Sequence, residues 1–230
     1  MLFICAALTA GGLGAQCPVE GTVRYDLHTY AVTAVGGQCW FAQNLRTTHF
    51  SNGDPIAVVD GSGMWNAGWP AHSPSVVRAG TPRRKPEHLE RYGLYYNGHV
   101  AIDARGVCPV GWRVPTHEDW IRLEVALGCG EEVARGFGFR GGTQGTQLRI
   151  TDPDLEQWVG VDAFGWAALP GGFRTADGED FNLGDSSYYW SSTPRSARSL
   201  YVRGLTGQRE DMYSSEKDLA EGCSIRCVKG

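Results

Sequence analysis

The sequence predicts a single α+β domain with few helices, short strands and long irregular loops, stabilised by disulfides. Three observations lead there. Short alternating runs bounded by glycine turns occupy both ends of the chain, at 22–25 and 29–35 and again across 164–228. One well-signalled helix follows Pro115 in the middle. With Gly 32, Trp 8, Tyr 9 and Phe 8 but only 20% charged residues, the 230-residue chain turns on glycine and packs on aromatics, which excludes both disorder and a helical bundle.

Residues 1–15 carry no charge, an apolar run from Leu2 to Leu8, and the small residues Gly11, Gly12, Gly14 and Ala15 at their end. That pattern reads as a secretion signal cleaved near Ala15, and the run is too short to span a bilayer. Gln16 stands where lipid attachment at Cys17 requires a small residue. The expected organisation is a signal peptide over 1–15 and one domain over 16–230, secreted or at the cell surface, with no transmembrane segment.

Within that domain the strands at 22–25 and 29–35 are followed by Gly36-Gly37, which turns the chain into Cys39-Trp40-Phe41, and a short helix is expected near Asn44. Residues 60–91 are rich in glycine and proline and read as a long surface excursion bearing Trp65 and Trp69; such loops often carry binding. Pro115 supplies an extended residue, Thr116 caps the next helix, Asp119 completes a capping box, and Trp120, Leu123 and Leu127 form its apolar stripe. Residues 135–146 read as a glycine-rich loop. Thereafter Gly171-Gly172, Asp177-Gly178, Leu183-Gly184 and Thr206-Gly207 separate short strands.

Cleavage of the signal removes Cys5 and leaves Cys17, Cys39, Cys108, Cys129, Cys223 and Cys227, an even set in an exported chain. Spacing alone does not choose among their connectivities; the expected pairing is Cys17 with Cys39, Cys108 with Cys227 and Cys129 with Cys223. No Cys-x-x-Cys pair or paired histidine favours zinc. The net charge of -4 gives no general attraction to nucleic acid, and the basic run Arg83-Arg84-Lys85 lies among Pro74, Pro82 and Pro86 as a solvated loop.

Several blocks in one order carry a resemblance. They are Gly37-Gln38-Cys39-Trp40-Phe41-Ala42-Gln43-Asn44-Leu45-Arg46, Asn52-Gly53-Asp54, Tyr92-Gly93-Leu94-Tyr95-Tyr96-Asn97, the segment 108–120, the segment 164–174, Tyr189-Trp190-Ser191-Ser192-Thr193, and Ser224-Ile225-Arg226-Cys227-Val228. Together they resemble the Fibrobacter succinogenes major paralogous domain over nearly all of 16–230. The resemblance implies a bacterial exported or surface protein with many paralogues and no established reaction. The segment 112–120, with a late aromatic strand and a closing Arg-Cys, also looks like the fold shared by C-type lectins and formylglycine-generating enzymes. That likeness implies a twisted antiparallel sheet whose ends are brought together, and a Cys108–Cys227 bridge would close its longest loop.

The function expected is a binding or adhesion module without turnover or cofactor, its partner a glycan or a surface protein. Trp65, Trp69, Tyr188 and Tyr189 are the expected ligand-binding residues, because flat apolar rings with polar tips suit both partners; Trp112 and Trp190 are expected in the core. Asp177, Glu179, Asp180 and Asp185 suggest calcium, yet the lectin triplets that hold sugar through calcium are absent, so a solvated hairpin tip is the better reading. The alternative is a copper-dependent oxidase of peptide cysteine using Cys223 and Cys227, although their spacing departs from the formylglycine-generating pair. His117 is expected at the surface. Glu118 with Asp152 or Asp154 is the one carboxylate pair considered for glycoside chemistry, and no hydrolase elbow, zinc-protease motif or Walker loop occurs.

Overall fold

The computed structural model of the protein describes residues 16–59, 75–78 and 86–230. The expected signal segment, Trp65 and Trp69 lie outside the described residues. At the start, β1 (Thr22–Tyr25), β2 (His28–Val35) and β3 (Gln38–Phe41) form an antiparallel meander, as the alternation predicts. The chain's far end returns as β15 (Val228–Lys229) beside β3, and β7 (Trp112–Arg113) completes this five-stranded sheet.

The second sheet runs in the order β4 (Ala57–Val58), β5 (Ser75–Arg78), β6 (Leu94–Asn97), β14 (Gly222–Cys223), β9 (Gly171–Arg174), β11 (Ser186–Pro194), β12 (Ser199–Thr206), β13 (Met212–Asp218), β8 (Gly138–Arg140), with β10 (Asp180–Leu183) against β9. Five short helices are described: α1 (Pro86–Tyr92), α2 (Gly98–Ile102), α3 (His117–Ala126), α4 (Glu131–Ala134) and α5 (Gln144–Leu148). The chain is thus α+β, mostly β. No helix among the described residues is long and apolar enough to cross a membrane.

Three local expectations need correction. Asn44 lies in no helix: its buried amide donates to Tyr92 O at 2.8 Å and Ser224 Oγ at 3.1 Å and accepts from Arg226 Nε at 2.8 Å, so its side chain ties distant segments instead of joining a local turn. Gly171-Gly172 lies within β9, where a Cβ on Gly172 (φ +67°) would stand 2.4 Å from Phe181 O; the glycine admits the neighbouring strand. Inside the expected 135–146 loop, Gly138–Arg140 forms β8 against β13.

Strand alternation divides the core in two. Phe41 and Trp190 point into a cluster with Tyr30, Tyr96, Val202 and Ile225. Their neighbours Trp40 and Tyr189 point the other way, to Trp120, Leu123, Trp158, Trp166 and Leu205. The ring centres of Trp40 and Trp120 are 4.9 Å apart, and those of Trp166 and Tyr189 are 5.2 Å apart. The capping box and stripe of α3 form as expected, with Thr116 and Asp119 bonded reciprocally and Trp120, Leu123 and Leu127 buried.

Helix α3 is fixed to the second sheet by charge as well as by packing. Glu124 projects from α3 with its side chain 1% exposed and accepts from Arg203 Nε at 2.6 Å and from Arg140 Nη2 at 2.7 and 2.8 Å. Arg203 comes from β12 and Arg140 from β8, and Arg203 also donates to Ser214 Oγ of β13 at 2.9 Å. Burial raises the Glu124 pKa, and the two guanidinium groups oppose that rise. His117, expected at the surface, is instead half-buried: its ring stacks on Tyr201 with centres 3.9 Å apart, and its Nδ1 faces Arg203 Nη1 at 3.3 Å. Burial and the Arg203 charge lower its pKa to about 4.

Disulfides join Cys17 to Cys39 and Cys108 to Cys227, as expected. The third expected bridge is corrected. Cys129 and Cys223 are free and buried, because Cys129 packs with Ile121 and Ala134 while Cys223 lies in the separate cluster around Tyr96 and Trp190.

Replacing Cys108 and Cys227 by alanine opens a loop with a sequence separation of 119 and removes about 4–5 kcal/mol on loop-closure entropy, read as a fall in unfolding midpoint; disulfide mapping should show Cys129 and Cys223 unmodified by each other. Glu124→Gln leaves two buried guanidinium groups undercompensated and is expected to lower unfolding free energy by about 3–5 kcal/mol in denaturant titration. For His117 the folded pKa of about 4 lies below the ordinary value near 6.5, so its contribution is full above that ordinary value and is lost as pH falls from there through about 4. His117→Asn should flatten the stability profile across that window.

Candidate functional site

One row of aromatic side chains on the second sheet leaves the core and reaches solvent at both ends. Phe181 of β10 pairs with Phe173 of β9, and the parallel pairing of Gly172 with Ser187 sets Phe173 beside Tyr188 of β11. Tyr188 pairs with Gly204 of β12, Gly204 with Tyr213 of β13, and Tyr213 with Phe139 of β8. The row crosses six strands, which at about 4.8 Å per strand makes it about 24 Å long. Phe181 is 52% and Phe139 45% exposed, and Phe173, Tyr188 and Tyr213 are half-buried. The result is a ladder of aromatic rings interrupted once, at Gly204.

That interruption is a notch. A cleft of about 220 Å³ opens over Gly204, walled by Tyr188, Tyr213 and Phe139, with Ser186 and Thr206 also at its lining. A Cβ on Gly204 would lie 3.2 Å from Tyr188 Cε1 and 3.3 Å from Tyr213 Cδ1, so even a methyl crowds both rings. Gly204 thus serves here through its lack of a side chain. The volume is below the roughly 300–1,000 Å³ of pockets that enclose drug-sized ligands, and suits a single ring or a small group.

Along the ladder the rings meet edge to face or tilted, with centres 4.9 Å apart for Phe173 and Tyr188, 4.8 Å for Phe139 and Tyr213, and 6.0 Å for Phe173 and Phe181. Lys217 Nζ covers one face of Phe173 at 3.3 Å from its centre, and the Arg209 guanidinium lies 4.5 Å from the centre of Phe139. Each cation also holds a carboxylate: Lys217 meets Glu221 at 2.7 Å, and Arg209 meets Asp211 at 2.8 and 2.9 Å. Beside the notch, Asp185 accepts from Ser186 Oγ at 2.7 Å and from Gln208 Nε2 at 3.1 Å, and Asn182 Nδ2 donates to Tyr188 OH at 3.3 Å.

Behind the ladder, residues one step along each strand face the core. Tyr189, Arg203, Ser214 and Arg140 succeed Tyr188, precede Gly204, and succeed Tyr213 and Phe139, and all four are buried. The Glu124 clamp grips Arg203 and Arg140 from the rear. The front row is therefore set by the rear contacts through the period of two.

Of the ligand-binding residues expected from sequence, Tyr188 stands at the notch. Tyr189 is corrected: it is 0% exposed, packed against Trp120 and Trp166, because adjacent strand residues face opposite ways. Sequence reasoning missed Phe139, Phe173, Phe181, Gly204 and Tyr213. Phe173 and Phe181 had a signal, since they stand equidistant from Asp177 in the turn between their strands.

The other candidate chemistry is placed apart from this site. Cys227 is in a disulfide, and burial pushes the Cys223 thiol well up, so the two do not form the thiol pair that copper would need. Asp177 and Glu179 sit at the β9–β10 hairpin tip, Asp180 bonds Arg174 Nε at 2.7 Å, and Asp185 is bonded as above. Among the described residues no group of three or more His, Cys, Asp or Glu is placed to hold a metal ion. Glu118 is bonded to Arg135 at 2.7 Å, whereas Asp152 and Asp154 are both bonded to Arg91, so the considered carboxylates belong to separate ion pairs.

No curated protein and no solved structure matches the chain. A family profile does: that of the Fibrobacter succinogenes major domain, over residues 33–229, which takes in every rung of the ladder. With most of its length matched, the chain belongs to the Fibrobacter succinogenes major domain family.

Proposed function

We propose that the protein is an exported or cell-surface binding module whose aromatic ladder holds sugar rings, without turnover. The observation that carries the reading is the row of partly exposed rings Phe181, Phe173, Tyr188, Tyr213 and Phe139, open at its two ends and backed by the core at Phe173 and Tyr188. Large apolar rings kept partly in water across adjacent strands mark an interaction surface. Sugar rings have apolar C–H faces and polar edges, and the ladder offers apolar faces beside the exposed amide groups of Asn182 and Gln208. The two disulfides fit an oxidising compartment, consistent with the signal-like residues 1–15.

A glycan fits the row better than a surface protein does. On one side of the row Trp190 and Val202 are already in the core, and on the other stand the buried hydroxyl residues Ser186 and Thr206. The surface is one ring wide, well short of the roughly 20–30 residues a side of a stable protein interface.

Tyr188→Ala and Tyr213→Ala should each weaken binding of the best glycan on an array by about tenfold, near 1.4 kcal/mol, in variants whose circular dichroism shows the fold retained at the assay temperature. Trp65→Ala with Trp69→Ala measures separately what those two residues add. Undiminished glycan binding in both tyrosine variants would remove the ladder from the account.

A further inference from the structure

We infer that the ligand is the interior of a neutral, linear polysaccharide that crosses the strands along the ladder, with one unit seated over Gly204. The inference rests on the sugar-binding reading and adds the length, charge and direction of the ligand. Length comes from the row itself: Phe181, Phe173 and Tyr188 follow one another at strand spacing, the row steps over Gly204, Tyr213 and Phe139 resume it, and the rungs at the two ends, Phe181 at 52% and Phe139 at 45%, are the most exposed. A pocket for a chain terminus needs a wall. Among the described residues none closes this row at Phe181 or Phe139, the most exposed rungs, so a chain can leave it at either end.

Charge gives the second restriction. The cations over the ladder, Lys217 and Arg209, already hold Glu221 and Asp211, so no unmatched cation among these rungs awaits a uronate or a sulfate. Asp185 beside the notch disfavours an anion further. Pyranose units with equatorial hydroxyls present the flattest apolar faces, and linked through equatorial positions they form an extended ribbon whose successive rings reach successive rungs. The cleft accounts for the break in the ladder: Gly204 lets the Tyr188 and Tyr213 rings close in over β12, and one unit seated on the cleft they wall fixes the chain's register, where rungs alone would let it slide.

Calorimetric titration of the intact protein with glucose and with β-1,4-linked glucose, xylose and N-acetylglucosamine oligomers of increasing length tests this, with polygalacturonate as the acidic arm. Affinity for at least one neutral series is expected to rise tenfold or more from monomer to the longest oligomer and then to level off, and chemical reduction of the terminal unit should leave it unchanged. Phe139→Ala, at an exposed end of the row, should move the levelling-off to a shorter oligomer, and Gly204→Ala should lower affinity at every length. A monosaccharide that binds as tightly as its oligomers, loss of binding on end reduction, or preference for polygalacturonate overturns the chain inference and leaves sugar binding standing. Failure of every saccharide to bind overturns the sugar-binding reading as well.

Discussion

The Glu124 carboxylate is all but inaccessible to water, and two guanidinium groups from strands on either side of β13 share it. A carboxylate and two arginines taken out of water carry a large desolvation penalty, so packing alone with apolar residues of similar shape would serve stability as well or better. What the triad supplies is position. It admits one register of β12 and β8 against α3, because a slip of one residue would turn Arg203 and Arg140 to the opposite face and leave Glu124 buried without a partner. The rear of the sheet is thereby fixed residue by residue, and the period of two carries that order to the front.

The aromatic residues of the chain divide accordingly. Trp40, Trp120, Trp158, Trp166 and Trp190 are 0% exposed and fill the two cores, whereas the ladder of Phe and Tyr remains at the surface. The divide runs through neighbours, as Tyr188 and Tyr189 show. Arg226 illustrates the same economy of polar groups in the core: fully buried, it donates to Asn44 and to the carbonyls of Trp166 and Ala167 and lies 3.8 Å from the Trp166 ring centre. Its neighbours in the C-terminal segment, Ile225 and Cys227, lock the last residues to the first sheet through β15 and the Cys108 bridge.

Much of this was legible in the sequence because it was local. The β1–β2–β3 meander, the capped α3 and the hairpin around Asp177 follow from alternation, capping and turn residues within a few positions. The Cys108–Cys227 pairing came with the family likeness, whose blocks bracket it. The ladder is another matter. Its rungs lie on six strands, and Phe139 sits in a strand of three residues between glycines, too short to show a period. Gly204 is informative only when the registers of β11, β12 and β13 are known together, since a strand glycine by itself signals weakness and no notch. The failed Cys129–Cys223 pairing has the same origin: parity of the cysteine count says nothing about which core each residue enters.

The central claim is that the front of this clamped sheet is a sugar-binding surface. Aromatic ring resonances followed by NMR during titration with a soluble β-1,4-linked oligosaccharide chosen from the neutral series test it most directly. The account predicts that the Tyr188, Tyr213 and Phe139 rings shift together and most strongly, while the buried Tyr189 and Trp120 rings behind them stay in place. Saturable binding that leaves those three rings unmoved would contradict it.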